Sequence, residues 1–188
     1  MSRRPPRQNL GASSLGIHGG APRLREGDPV IPSIVQSSTF AGEGRTDELR
    51  YTRYFNNPLQ ERVALKLALL EGAEASLVLG SGMAAIAMTL LTLTQSGDHI
   101  VASSHLYGAT RRLMEKELPR RGVTTTFVDP SEGREWRQAL MKRTRVLYLE
   151  APTNPTLRFF DPAPVAQLAK DVGVLLVMDA TFATDDRA

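Results

Sequence analysis

The sequence predicts an α/β fold with a mainly parallel sheet and flanking helices, and two observations carry that prediction. From Leu59 onward, short apolar runs alternate with segments of helical periodicity. Strands separated by helices pair in parallel through right-handed crossovers. The run Val174–Met178 is apolar throughout, as expected for a strand that is buried on both faces. At 188 residues, the chain is long enough for one medium domain with a sizeable core.

The individual elements follow from this alternation. Leu59, Val63, Leu67 and Leu70 recur at helical spacing, and Gly72 is predicted to end this helix. Strands are predicted at Ser76–Leu79, His99–Ala102, Thr124–Val128, Val146–Leu149 and Val174–Met178. The helices between them are predicted at Met83–Thr94, Ala109–Leu118, Glu132–Met141 and Pro164–Val172.

Residues 1–58 differ from the rest of the chain. They are rich in Gly, Pro, Ser and Arg and show no sustained helical period, so they are predicted to form an extended arm. An arm of this kind buries little surface by itself and has to lie on another body. We expect an N-terminal arm over residues 1–58 that lies on another body or on a neighbouring subunit, and a separate domain over residues 59–188.

Composition excludes several classes of function. The chain has no cysteine, which removes disulfides, thiolate metal sites and thiol nucleophiles, and we expect no metal site. Its net charge of +3 is not gathered into a basic stripe with aromatic residues, so no nucleic-acid partner is expected.

No apolar run approaches the roughly 20 residues that cross a bilayer. The basic start Met1–Arg7 is interpreted as a disordered leader, with a transit peptide as the alternative. We expect a soluble, cytoplasmic protein with no membrane partner.

A glycine-rich turn lies between the first predicted strand and the next helix. It reads Gly80-Ser81-Gly82-Met83-Ala84-Ala85, and glycines let a backbone approach an anion at a helix start. The spacing also fits a dinucleotide-binding turn, but that fold needs an acidic residue at the end of the second strand. The chain has Ser103-Ser104-His105 there. A single phosphate is therefore favoured, with a ligand-free tight turn as the alternative.

Four polar or aromatic candidates follow predicted strands: Tyr107, Asn154, Asp179 and Thr181. Open α/β sheets bind ligands at the carboxyl ends of their strands, so we expect these residues to converge in one pocket with Gly82. Tyr107 could stack on a flat ligand, and the amide of Asn154 could bind a ring oxygen. Ordinary structural roles stay open for each: a partly buried tyrosine, an Asn-Pro turn, and an aspartate that caps the next turn.

The arm contains a further candidate group, Tyr51-Thr52-Arg53. On an extended chain, residues two apart project to the same side. Tyr51 and Arg53 could then clamp a phosphate together, because the arginine supplies a planar fork of donors. The alternative is an ordinary surface pair.

Taken together, these motifs resemble the Cys/Met-metabolism, or transsulfuration, family of pyridoxal-phosphate-dependent enzymes. That family includes cystathionine γ-synthases, cystathionine lyases, methionine γ-lyases and homoserine sulfhydrylases. The resemblance covers nearly the whole chain. The residues that carry it are Ile17–Gly20, Pro32–Phe40, Tyr51–Arg53, Asn57-Pro58, Ser81–Ala85, Tyr107-Gly108, Glu150–Pro155 and Asp179–Thr184.

The resemblance implies a fold and a chemistry. The fold would be part of a fold-type I pyridoxal-phosphate transferase large domain, preceded by the arm. The cofactor would be pyridoxal 5'-phosphate, and the substrate a small amino acid such as cystathionine, methionine or an activated homoserine. The reaction would be a β- or γ-elimination or a γ-replacement. The family also implies a homo-oligomer, a tetramer built from dimers.

The resemblance also implies roles for the phosphate contacts. The amides of Gly82 and Met83 would bind the cofactor phosphate. Tyr51 and Arg53 would reach the phosphate held by a neighbouring subunit, which gives the arm a reason to lack its own core.

For the ring of the cofactor, the resemblance implies four contacts. Tyr107 would stack on the pyridine ring and is the one catalytic residue expected in this chain. Asn154 would face the phenolic oxygen, Asp179 would pair with the ring nitrogen, and Thr181 would lie near the ring. A carboxylate at that nitrogen favours the protonated, electron-withdrawing form of the ring.

Two departures from the family pattern affect the expected activity. Ala180 stands where the family commonly has Asn. More severely, the family's Schiff-base lysine lies in a later Ser-x-Thr-Lys stretch, whereas this chain reads Asp185–Ala188 and ends. None of the four lysines (Lys66, Lys116, Lys142 and Lys170) has an equivalent position. We expect a chain truncated before that lysine and inactive as it stands. The alternatives are a non-catalytic cofactor-binding or partner-binding remnant and a nucleotide-binding α/β domain.

The resemblance finally predicts an exposed sheet edge. In the family, two later strands separate the first strand from the fifth. Without them, Ser76–Leu79 would lack its usual partner and Val174–Met178 would present a free apolar edge, so we expect association or aggregation.

Overall fold

The computed structural model describes residues 10–21, 24–42 and 49–183. They divide between Val78 and Leu79 into two compact units, each of which is described by itself. Among the described residues, no helix combines the length and the apolarity that crossing a bilayer requires.

The first unit contains two helices, α1 (Ala12–His18) and α2 (Pro58–Leu70). Asn57 begins α2 with a capping box, because its side chain accepts from the N–H of Leu59 at 2.9 Å and its own N–H donates to Gln60. The helix predicted from Leu59 is therefore confirmed.

The expectation of an arm without helices was wrong at α1. Lys66, on α2, donates to the carbonyl oxygens of Gly16 and Ile17 at 2.8 and 3.1 Å. A cation at these carbonyls stabilises the C-terminal turn of a short helix. Helix α1 packs on α2, and α2 belongs to the first unit, whereas the predicted boundary after residue 58 assigned it to the second domain.

The second unit is a sheet with helices on both faces. Its strands are β1 (His99–Ser103), β2 (Thr124–Val128), β3 (Thr144–Glu150) and β4 (Leu175–Asp179). The described helices are α3 (Gly82–Leu93), α4 (Gly108–Arg112, continued by a π-helical turn over Leu113–Glu117), α5 (Gly133–Gln138) and α6 (Ala163–Val172). All pairs are parallel, in the order β2–β1–β3–β4.

The central strands are apolar because each face of the sheet packs against its own helices. Ile100 and Tyr148 belong to a core with residues of α3 and α4, whereas Val101 and Leu147 belong to a second core. That second core contains Trp136 of α5 and residues of α6. Strands buried on both faces read as continuous apolar runs, and β1 and β3 are strands of this kind.

Four of the five predicted strands are confirmed. The expectation that Val174–Met178 is buried on both faces was wrong, because β4 is an edge strand of the described sheet and its Leu175 and Met178 are 52% and 37% exposed.

The prediction of a strand at Ser76–Leu79 was wrong. These residues have no strand conformation, and the sheet of the described residues ends at β2 and β4. A strand exists through its pairing with a neighbour, and this segment has none in the described part of the chain. The hydroxyl of Ser76 donates instead to the carbonyl oxygen of Ala64 at 2.6 Å.

His99, at the start of β1, predicts a loss of stability in acid. It is 1% exposed, and its ring nitrogens lie 2.9 Å from the hydroxyls of Thr144 and Thr126, on the two neighbouring strands. Burial, with a smaller effect of Arg143, lowers the pKa of His99 below its ordinary value of 6.5. The unfolded chain therefore binds the proton more readily, and the free energy of unfolding should decrease as the pH falls below about 6.5.

Urea unfolding of the chain between about pH 7.5 and pH 5 measures this dependence. His99→Gln should flatten it, because the titrating group is gone. His105→Gln serves as the control and should leave it in place. A His99→Gln chain with the same pH dependence as the unchanged chain would refute the assignment.

Candidate functional site

A cavity of about 140 Å³ lies at the carboxyl ends of β1, β3 and β4, next to the first turn of α3. Its lining residues are Gly82, Met83, Ile86, Tyr107, Glu150, Asn154, Asp179, Thr181 and Phe182. The structure thus brings together the six predicted site residues that fall in the second unit. The predicted convergence of Gly82, Tyr107, Asn154 and Asp179 in one pocket is confirmed, whereas the roles of these residues toward a ligand stay predictions.

The first turn of α3 has two backbone donors, the N–H groups of Gly82 and Met83, for which the described residues provide no acceptor. The side chain of Ser81 accepts from the N–H of Ala84 at 3.0 Å, and its carbonyl oxygen accepts from the N–H of Ala85. The N–H groups of Gly82 and Met83 precede the first intrahelical bond and have no acceptor within the helix. A Cβ built on Gly82 would meet no atom within 4 Å. The space above this turn is therefore open to a ligand at the positive end of a helix.

Asp179, the last residue of β4, has both carboxylate oxygens fixed. Oδ1 accepts from the N–H of Thr181 at 3.1 Å and from its hydroxyl, which is the turn-capping role left open by the sequence. Oδ2 accepts from the hydroxyl of Tyr148 at 3.2 Å. Burial raises the pKa of Tyr148, and the negative charge of Asp179 raises it further, so the hydroxyl stays a donor. The carboxylate is held in one orientation at the cavity wall.

Glu150 lines the cavity but was not predicted to have a role. It is the last residue of β3, pairs in register with Asp179 and is 3% exposed. Its oxygens accept from the N–H groups of Tyr107 at 2.7 Å and Asn154 at 3.0 Å. Burial raises the pKa of Glu150, and these two donors counteract part of that effect. A carboxylate at the end of an otherwise buried apolar strand was the signal available in the sequence.

The predicted pair Tyr51 and Arg53 lies in the first unit, and its expected extended geometry was wrong. Tyr51 is extended and bridges to Thr39, but Thr52–Tyr54 form a 3-10 turn. The turn closes because the side chain of Asn56 accepts from the N–H of Tyr51 and donates to the carbonyl oxygen of Leu49, both at 2.8 Å. Arg53 is exposed.

None of the lysines in the second unit lines the cavity: Lys116, Lys142 and Lys170 are absent from its walls. In the first unit, Lys66 donates to two backbone carbonyl oxygens. The cavity of the described residues therefore contains donors and carboxylates but no amine.

Parallel strands with helices on both faces, and a cavity with a few polar side chains at their carboxyl ends beside a helix N-terminus, are typical of the α/β proteins that hold a phosphorylated ligand at this edge. The sequence model of the Cys/Met metabolism PLP-dependent enzyme family matches residues 13–186, and the chain belongs to this family. The predicted resemblance is thereby confirmed, and the cofactor that the family implies is pyridoxal 5'-phosphate.

Individual relatives agree with this assignment. The chain is 40% identical over 185 residues to an L-methionine gamma-lyase of Fusobacterium nucleatum subsp. nucleatum, covering 93% of the chain and 46% of that protein. It is 39% identical over 173 residues to a cystathionine gamma-lyase of Bacillus subtilis, covering 91% of the chain and 45% of that protein.

A solved structure of a related protein has the same fold as this chain. The crystal structure of metB from Corynebacterium glutamicum matches with a TM-score of 0.87 and 33% identity, covering 94% of this chain and 46% of that one. The predicted fold class, part of a fold-type I large domain with a mainly parallel sheet, is confirmed. The chain spans about half the length of the relatives it matches.

The residues present fit pyridoxal phosphate. The open space above Gly82 and the free N–H groups of Gly82 and Met83 suit a phosphate. The fixed carboxylate of Asp179 suits a protonated ring nitrogen. Tyr107 and Asn154 both line the cavity. The ring of Tyr107 suits a flat aromatic ring, and the amide of Asn154 suits a polar oxygen on that ring.

Proposed function

We propose that this chain provides the cofactor-binding part of a pyridoxal-phosphate-dependent transsulfuration-type enzyme. Such an enzyme acts on cystathionine, methionine or an activated homoserine, by β- or γ-elimination or by γ-replacement. The observation that carries the proposal is the cavity that combines a helix N-terminus with open space above it and a doubly held carboxylate. When bound, pyridoxal phosphate supplies an electron-withdrawing ring that stabilises negative charge on the substrate carbon.

The chain's own residues divide the work of holding that ring. The N–H groups of Gly82 and Met83 bind the phosphate and fix one end of the cofactor. Asp179, oriented by Tyr148, would hold a proton at the ring nitrogen, because a carboxylate beside that nitrogen stabilises its positive charge. Tyr107 covers a face of the ring and excludes water from it.

The arm completes the proposal at the level of the assembly. We propose that Tyr51 and Arg53 contact the phosphate held by a neighbouring subunit in a cytoplasmic homo-oligomer, a tetramer built from dimers. Arg53 is exposed and its guanidinium is a planar fork of donors, which suits a phosphate presented by another chain.

A second candidate is a remnant that binds the cofactor or a partner without catalysis. The cavity residues favour it in one respect, since no lysine among them could form a covalent bond to the cofactor or carry a proton to the substrate carbon. We therefore propose that the 188-residue chain binds the cofactor and is inactive by itself.

Titration of the purified chain with pyridoxal phosphate tests the proposal. We expect saturable binding by absorbance and calorimetry, and no keto acid from cystathionine, methionine or O-acetylhomoserine. Gly82→Val should abolish binding, because the side chain would occupy the open space at the phosphate turn.

Gly133→Val is the matched control for that variant. Gly133 is likewise the first residue of its helix, α5, with no atom within 4 Å of a built Cβ, but it does not line the cavity. Absence of binding by the unchanged chain would overturn the cofactor-binding proposal. Turnover by the pure chain would overturn the proposed inactivity.

A further inference from the structure

Glu150 connects two loops that the chain places far apart in sequence. One oxygen of its carboxylate accepts from the N–H of Tyr107, which follows β1, and the other accepts from the N–H of Asn154, which follows β3. No ion pair of the described residues includes Glu150. The two backbone N–H groups are therefore its main partners, and both belong to residues that line the cavity.

A buried carboxylate at this position needs a reason. Taking an ionised group out of water is unfavourable unless partners compensate for the lost hydration. The neighbouring Asp179, in register on β4, adds a like charge. A neutral amide would avoid both effects, but the two N–H groups bind different oxygens of Glu150, and the NH2 group of an amide would face one of them as a second donor. The carboxylate uniquely offers two acceptors on one rigid, planar group.

We infer that Glu150 is a positioning residue that fixes the separation between Tyr107 and Asn154, and with it the space available to the ring of the cofactor. This inference rests on the proposed function of the cavity. The phosphate turn does not depend on Glu150, because Ser81 caps α3 by itself through Ala84. Loss of the Glu150 clamp should therefore weaken binding of a ring and leave binding of a phosphate unchanged.

The test compares two ligands, pyridoxamine 5'-phosphate and inorganic phosphate, by calorimetry on the full chain. Glu150→Gln keeps the shape of the side chain and removes one acceptor. We expect its affinity for pyridoxamine 5'-phosphate to fall about tenfold, as for one lost hydrogen bond to a charged group, and its affinity for phosphate to stay within about twofold.

Asp98→Asn is the matched control. Asp98 is also a buried carboxylate that joins two segments: it accepts from the N–H of Gln95 at 2.9 Å and from the Nε of Arg145 at 3.4 Å. It lies just before β1, at the opposite end of that strand from the cavity. Asp98→Asn should lower the thermal midpoint without changing either affinity.

Two other results for Glu150→Gln would overturn the inference. An equal decrease of the affinities for both ligands would show a general structural defect. Unchanged affinities for both ligands would show that the Glu150 clamp has no effect on the cavity. If Glu150→Gln fails to fold, Glu150→Asp, which keeps the charge but shortens the reach, is measured in the same way, and ring affinity equal to that of the unchanged chain overturns the inference. If the unchanged chain binds neither ligand, the proposed function itself fails, and this inference fails with it.

Discussion

Replacing Asp179 by asparagine should lower the affinity of the chain for pyridoxal phosphate by about 10-fold to 100-fold. The substitution keeps the shape of the side chain and can keep the acceptor for Thr181, but it removes the charge that holds a proton on the ring nitrogen. Because Tyr148 and Thr181 already fix the carboxylate, little reorganisation opposes binding in the unchanged chain. Calorimetric titration of both chains measures the difference.

Asp129→Asn is the control for this prediction. Asp129 lies directly after β2, at the same edge of the sheet as Asp179. Its Oδ1 accepts from the N–H and the hydroxyl of Ser131, as Oδ1 of Asp179 accepts from the N–H and the hydroxyl of Thr181. It does not line the cavity. If Asp179→Asn and Asp129→Asn bound the cofactor equally well, the carboxylate of Asp179 would have no part in cofactor binding.

The parts of the fold that were predictable are those that depend on local sequence. Central strands such as β1 and β3 are apolar on both faces because helices cover both faces of the sheet. Such strands are visible in the sequence as continuous apolar runs. The prediction of a strand at Ser76–Leu79 failed because a strand also needs a neighbouring strand to pair with, and four residues of sequence do not show whether that neighbour is present. Helix α1 was missed because its last turn is bound by Lys66, about fifty residues away.

The site shows the same division. Residues directly after a strand, such as Tyr107 and Asn154, were predictable because the carboxyl ends of parallel strands meet at one edge. The role of Glu150 was not, because its partner Tyr107 lies 43 positions earlier. The geometry of Tyr51 and Arg53 depends on the side chain of Asn56, which no period in the sequence reveals.

The edge of β4, with which no other strand of the described residues pairs apart from β3, should make the chain associate with itself. β4 is the last strand of the described sheet, and Leu175 and Met178 are 52% and 37% exposed. Unpaired N–H and C=O groups flanked by apolar side chains are a template for another strand. At the opposite edge, β2 begins with three threonines, Thr124–Thr126, so the side chains flanking that edge are less apolar than those of β4. We expect dimers or larger species whose fraction increases with concentration in sedimentation experiments.

Leu175→Lys should raise the dissociation constant of this assembly by about tenfold or more, because a charge on an edge strand opposes pairing. Thr124→Lys places the same charge on the first residue of the other edge strand and should leave association unchanged. Equal effects of the two lysines would mean that net charge, rather than the β4 edge, controls association. A chain that sediments as a monomer at all concentrations would mean that the β4 edge is covered within the chain itself, and the prediction would be wrong.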